Sequence, residues 1–169
     1  MAPWLTRRCG EHRALRAIGS RSRNGDASVS SLRYFVDPSL GLGALGAGSH
    51  QLLGDLSTAG FHFEAMAVRD LRVYAQPLGG AIYSWREAHG RKEVDAIVAT
   101  PDRWAAFEVK LSGEQEVIDE AARGLLSFAA EIDQARHGAP AALVVLTATG
   151  GGGRRADGVH VVPLAALGP

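Results

Sequence analysis

The chain has 169 residues, with Lys+Arg and Asp+Glu both at 18, so it has the length of one domain with an appendage and no overall electrostatic bias toward or against a polyanion. A single cysteine, Cys9, excludes an internal disulfide and a multi-cysteine zinc site, and the six histidines show no His-Glu-x-x-His or related ligand spacing. No run approaches the roughly 20 apolar residues of a membrane span, and the start lacks the apolar core of a secretory signal, which points to a soluble protein in a reduced, cytoplasmic setting.

Residues 1–30 stand apart: Arg7, Arg8, Arg13, Arg16, Arg21 and Arg23 face only Glu11 and Asp26, with Ser, Gly and Asn between them. Such a segment buries little apolar surface and is expected to be a mobile leader or remnant. Its composition also suits an organellar transit peptide or a nucleic-acid-binding arm. Residues 31–169 are read as the globular domain. The apolar run Tyr34-Phe35-Val36 ends at Asp37-Pro38, where Asp can cap and Pro can open a short helix. Gly41, Gly43, Gly46 and Gly48 make the next stretch loose, and without a following Lys-Ser/Thr it is not a phosphate loop.

A helix is expected from Ser57 or Thr58 to Tyr74, with Phe61, Ala65, Val68 and Leu71 on its buried face. Three strands follow, Ala81 to Arg86, Glu93 to Ala99 and Trp104 to Leu111, separated by turn signals at His89-Gly90 and Pro101-Asp102. An amphipathic helix from about Gln115 to Arg136 carries Ile118, Ala122, Leu125, Leu126, Ala129 and Ile132 and stops before Gly138 and Pro140. The continuous apolar run Ala141 to Thr147 reads as a strand covered on both faces, Gly150 to Gly153 as a flexible turn, and Val159 to Val162 as a last strand. Helix, three strands, helix, strand is the order of an α/β domain with a mixed central sheet flanked by helices, an αβββαβ core.

Glu64 falls on the stripe of Phe61, Val68 and Leu71, so its carboxylate points toward the sheet and needs a partner. In the third strand, alternation puts Trp104, Ala106, Glu108 and Lys110 on one face. Antiparallel pairing through the Pro101 turn brings Asp95 close to Glu108. Two carboxylates beside an ammonium suit magnesium, or manganese, which takes oxygen ligands and leaves positions to water and phosphate, while a neighbouring lysine steadies or deprotonates the attacking water. A strand-borne Glu-Val-Lys is also common in purely structural settings, where Asp95 and Lys110 would form a satisfied ion pair at a sheet end. Arg86 is the candidate for a phosphate contact. Trp85 and Trp104 read as packing residues, and Cys9 has no partner that would make it a nucleophile.

The segments Phe63-Glu64, Tyr83-Ser84-Trp85-Arg86, Glu93-Val94-Asp95 and Phe107-Glu108-Val109-Lys110 resemble the C-terminal domain of bacterial AAA+ ATPase-like proteins, the domain of unknown function 4143, over roughly Tyr34 to the end. That family resembles the restriction-endonuclease-like, PD-(D/E)XK fold. The resemblance implies a metal-binding and catalytic group of Glu64, Asp95, Glu108 and Lys110, with Asp95, Glu108 and Glu64 as metal ligands, and DNA as substrate. Members of the family usually carry an N-terminal ATPase, whereas this sequence contains no Gly-x-x-x-x-Gly-Lys-Ser/Thr, and Gly150 to Gly153 leads into Arg154-Arg155 and a strand. The chain is therefore expected to be the tail of a larger protein, translated alone or truncated. Three readings compete: a magnesium-dependent nuclease, a non-catalytic DNA-binding or regulatory module of a partner ATPase, and a defective fragment with no independent role.

Overall fold

The computed structural model describes residues 37–46, 48–87 and 92–167. The Arg-rich segment, Cys9, the run Tyr34 to Val36 and the His89-Gly90 turn lie outside the described residues. Within them, helices α1 (Pro38–Leu45), α2 (Ser49–Gly54) and α3 (Leu56–Ala75) precede strands β1 (Ala81–Arg86), β2 (Glu93–Ala99) and β3 (Trp104–Lys110). Helices α4 (Gln115–Glu131) and α5 (Gln134–His137) follow, then β4 (Ala142–Thr147), β5 (Gly153–Arg154) and β6 (His160–Pro163). Asp37 caps α1 by accepting from the Ser39 N–H, with Pro38 opening the helix, as the sequence leads one to expect. The glycines after it are not loose: Gly41 and Gly43 lie inside α1, which ends on Gly46 at φ 61°, a conformation that costs glycine little.

The six strands form one mixed sheet in the order β1-β2-β3-β4-β6-β5. β1, β2 and β3 make an antiparallel meander, β3, β4 and β6 run parallel, and β5 closes the edge antiparallel to β6. Part of the glycine-rich turn is thus a short edge strand. On one face α3 packs Phe63, Ala67, Val68 and Leu71 against Ala96, Val109, Val144 and Leu146. On the other, α4 packs Ala122, Leu125 and Phe128 against Ile97, Trp104, Ala106 and Val145. Phe128 stands 5.1 Å from the Trp85 ring and 6.1 Å from that of Trp104, and the Trp104 indole N–H donates to the Gly138 carbonyl, so both tryptophans are packing residues. β4, covered on both faces, is buried from Leu143 to Thr147, which explains its unbroken apolar run.

The phase of α3 differs from the sequence reading. Phe63, Ala67 and Leu71, four residues apart, with Val68 and Ala75, form the buried stripe, while Phe61 is 70% exposed. Phe63 is two positions on from Phe61, about 200° around a helix, so both cannot face the sheet. The second long helix also ends sooner than its pattern suggests: Ile132 leaves the helical conformation, still buried, and Asp133 starts α5 by accepting from the Arg136 N–H.

Two loops cross at the C-terminal ends of β3 and β4. The Gly113 N–H donates to the Thr149 hydroxyl at 3.2 Å, and the Ala148 N–H to the Lys110 carbonyl at 3.2 Å. A Cβ on Gly113 would sit 2.2 Å from the Thr149 carbonyl oxygen and 2.9 Å from its carbon. Both are backbone atoms in a pinned crossing, so no flexible side chain can yield. Gly113→Ala is expected to destabilise the domain by about 3 kcal/mol, read as a lower midpoint in urea; an unchanged midpoint would show that the two loops separate freely.

Candidate active site

The polar group lies where β2 and β3 stop pairing. Tyr83 pairs with Ile97 but Trp85 with Val94, so Ser84 opposes both Asp95 and Ala96, a bulge that bends the strand and re-aims a side chain. The β2–β3 ladder ends at Ala96 opposite Phe107. Beyond it the Asp95 carboxylate takes the place of a backbone acceptor: its Oδ2 receives the Val109 N–H at 2.7 Å. Asp95 is 9% exposed. One residue either side of Val109, Glu108 and Lys110 emerge on the same face, and the Lys110 ammonium donates to Glu108 Oε1 at 2.8 Å.

Charge at this spot is unbalanced. Burial, then the Glu108 carboxylate and, to a smaller extent, Glu64 push the pKa of Asp95 up from 3.8 to about 7, against the pull of the Val109 N–H and of Lys110. Burial also raises Glu108; Lys110 opposes this, while Glu93 and Glu64 add to it. For Lys110, burial works against the charge, yet Glu108, helped by Asp95 and Glu93, carries its pKa above 10.5. Lys110 is therefore an ammonium at neutral pH, suited to holding an anion or donating a proton more than to accepting one.

Sequence reasoning placed Glu64, Asp95, Glu108 and Lys110 together, and each of the first three acts electrostatically on at least one other of the set. The pairing within the group differs in one respect. Lys110 is bonded to Glu108, its neighbour on the same strand, whereas Asp95 is satisfied by backbone. Arg86 stands apart: it pairs across the hairpin with Glu93 and stays half exposed. Thr147 escaped notice. It ends β4 fully buried, in parallel register beside Lys110, and its hydroxyl has no hydrogen-bond partner among the described residues, which in a buried strand costs about 1–3 kcal/mol. The available signal was a hydroxyl ending an otherwise apolar strand.

Among the described residues no three His, Cys, Asp or Glu side chains are grouped so as to hold a metal ion. Glu64, Asp95 and Glu108 do not make a three-carboxylate cage. The two strand carboxylates fit the sparser mode in which magnesium uses one or two protein carboxylates and keeps the rest of its octahedron for water and phosphate. Burial, and for Asp95 the neighbouring Glu108, disfavours the charged form of both carboxyls, and a divalent cation between them would favour it.

A family described as Domain of unknown function (DUF4143) matches residues 59–167. The chain belongs to this family. The DUF4143 match runs from within α3 through the end of the sheet, and so contains every residue of the polar group. No curated protein and no solved structure matches the chain. Among the described residues of this DUF4143 member, no helix is long and apolar enough to cross a membrane.

Proposed function

We propose that this DUF4143 domain is a divalent-cation-dependent phosphodiesterase acting on DNA, with a restriction-endonuclease-like, PD-(D/E)XK arrangement of its site. The observation that carries the proposal is the pair Asp95 and Glu108, two buried carboxylates of adjacent strands, with Asp95 lifted to about 7 first by burial and then by Glu108 and the Lys110 ammonium bonded to Glu108 beside it. A purely structural site has little reason to keep that pair. The mixed sheet with α3 and α4 on its faces agrees with this arrangement.

Asp95 would hold magnesium or manganese through the carboxylate oxygen not engaged by Val109, and Glu108 through a carboxylate whose charge is then shared between the ion and Lys110. When bound, such an ion supplies Lewis acidity at the phosphate and a water of lowered pKa. Lys110, positively charged, holds a phosphate oxygen or the attacking water in place. Glu64 acts from α3 on the same charge balance and on water around the ion. Arg86 remains a phosphate contact only if it exchanges Glu93 for the backbone, which its half-exposed position permits. The cytoplasm, where DNA and free magnesium meet, is the setting this chemistry needs.

A second reading, a non-catalytic DNA-binding or regulatory module for a partner ATPase, draws support from the internal satisfaction of the group: Asp95 and Glu108 each already have a partner. Isothermal titration with magnesium and manganese, followed by cleavage assays on duplex, single-stranded and branched DNA, separates the two. Millimolar or tighter binding together with metal-dependent cleavage is expected; no heat at millimolar metal would favour the second reading.

A further inference from the structure

The fully buried Thr147 has only two neighbours across the sheet ladder. On β3 it faces Lys110, and on β6 it faces Pro163. Proline offers no N–H, so Lys110 is the polar one of the two. Adjacent parallel strands in register present paired residues on one face, which puts the hydroxyl on the side where Glu108 and Lys110 emerge. The Ala148 N–H bonded to the Lys110 carbonyl, and the Gly113–Thr149 contact just beyond, hold the two strand ends together, so the backbones of Thr147 and Lys110 stay side by side. Leu143 to Leu146, just before it, are all apolar and buried. Valine has the same shape as threonine and would fill the position without burying an unpaired hydroxyl.

We propose that Thr147 is the positioning residue for Lys110. In the structure the Lys110 ammonium rests on Glu108 Oε1. A Glu108 carboxylate turned toward a cation no longer offers that acceptor in full, and the ammonium must be held elsewhere to stay ordered. The Thr147 hydroxyl accepts one of its three hydrogens, which leaves the remaining two directed at the substrate phosphate or the attacking water. Among the described residues the hydroxyl is unpaired in the metal-free chain; in the loaded one Lys110 pairs with it. The inference rests on the metal-binding reading of the site.

The test compares the full chain with Thr147→Val, which removes the hydroxyl at constant shape, and Thr147→Ser, which keeps it. Three properties are read: the metal-free thermal midpoint, magnesium affinity by calorimetry, and the Lys110 ammonium resonance in the magnesium-loaded protein by nitrogen-detected NMR, with DNA cleavage as a fourth. Thr147→Val is expected to melt no lower than the wild type and to bind magnesium equally well. Its Lys110 ammonium signal should broaden away by fast exchange with water, and turnover should fall roughly ten- to a hundredfold, with Thr147→Ser restoring both. If Thr147→Val does not fold, Thr147→Ser against Thr147→Ala gives the same comparison, since those two differ only in the hydroxyl. A loaded Lys110 signal that is the same with and without the hydroxyl overturns the role of Thr147 and leaves the metal site standing. A Lys110 signal that follows the hydroxyl in a protein that cuts no DNA supports Thr147 and removes the nuclease reading. A wild type that binds no magnesium overturns both.

Discussion

In the absence of divalent metal, the domain is expected to lose stability as pH rises from about 4 to about 7, the reverse of what surface carboxylates alone would give. Asp95 has an ordinary value of 3.8 and is carried to about 7 in the folded chain, first by burial and then by Glu108. Over that window the folded state binds more protons than the unfolded one, so stability falls as pH increases. The contribution is fully present below the unfolded pKa and lost as pH passes the folded one. For Asp95 the displacement corresponds to on the order of 4 kcal/mol, and the raised Glu108 acts in the same sense. Asp37, Asp55, Asp119 and Asp157 work in the opposite sense, because hydrogen bonds hold their carboxylates below 3.8. Their contribution is lost only as pH falls beneath that range, so the two effects occupy different windows. Asp95→Asn keeps an oxygen for the Val109 N–H without the charge; it should flatten the slope and exceed the wild type in stability at pH 8. Asp95→Ala removes the charge too but strands that N–H, and should fall below Asp95→Asn by about 1–3 kcal/mol. Magnesium should raise the wild-type midpoint at pH 8 and leave that of Asp95→Asn unmoved. Urea melts between pH 4 and 8 read all of this, and a wild-type stability that climbs steadily from pH 4 to 7 would contradict the buried, repelling pair.

The parts of this fold that follow simple periodicity were open to reading in the sequence. Strands β1, β2 and β3 begin where expected because turn residues bracket them, and β4 was recognisable as a strand buried on both faces because nothing polar interrupts it before Thr147. The face shared by Glu108 and Lys110 followed from alternation alone. What alternation could not supply was the bulge opposite Ser84, since a bulge is a property of the pairing of two strands and not of either strand. Beside that bulge the β2–β3 ladder stops at Ala96, and the Asp95 carboxylate receives the Val109 N–H. The phase of α3 failed for a related reason: Phe61 and Phe63 are equally apolar, and only contact with the sheet decides which one is covered. Thr147 was hidden because its polarity has meaning only beside Lys110, a parallel pairing across 36 intervening residues of chain.

Glu108→Gln and Lys110→Met should part company if the site is catalytic. Gln at position 108 keeps the shape and removes the charge, so the cation loses one of its two strand carboxylates and both metal affinity and DNA cleavage should fall together. Met at position 110 leaves both carboxylates in place. It removes a positive charge that competes with the cation, so metal binding should survive or tighten, while cleavage falls on the order of 10²–10⁴-fold for want of the group that orients water or donates a proton. Stability divides them a second time. Without metal, Lys110→Met leaves Glu108, only 12% exposed, with no ion-pair partner, so the variant should be less stable than the wild type and regain stability on adding magnesium. Glu108→Gln leaves a lysine that is one-third exposed and can turn to water; it also relieves the repulsion on Asp95, so metal-free it should be at least as stable as the wild type, and magnesium should do little for it. Calorimetry, melting curves and cleavage assays on the same three proteins then give a pattern that a structural ion pair cannot produce. Such a pair would lose stability on truncation of either member, with no rescue by metal and no DNA cut by the wild type.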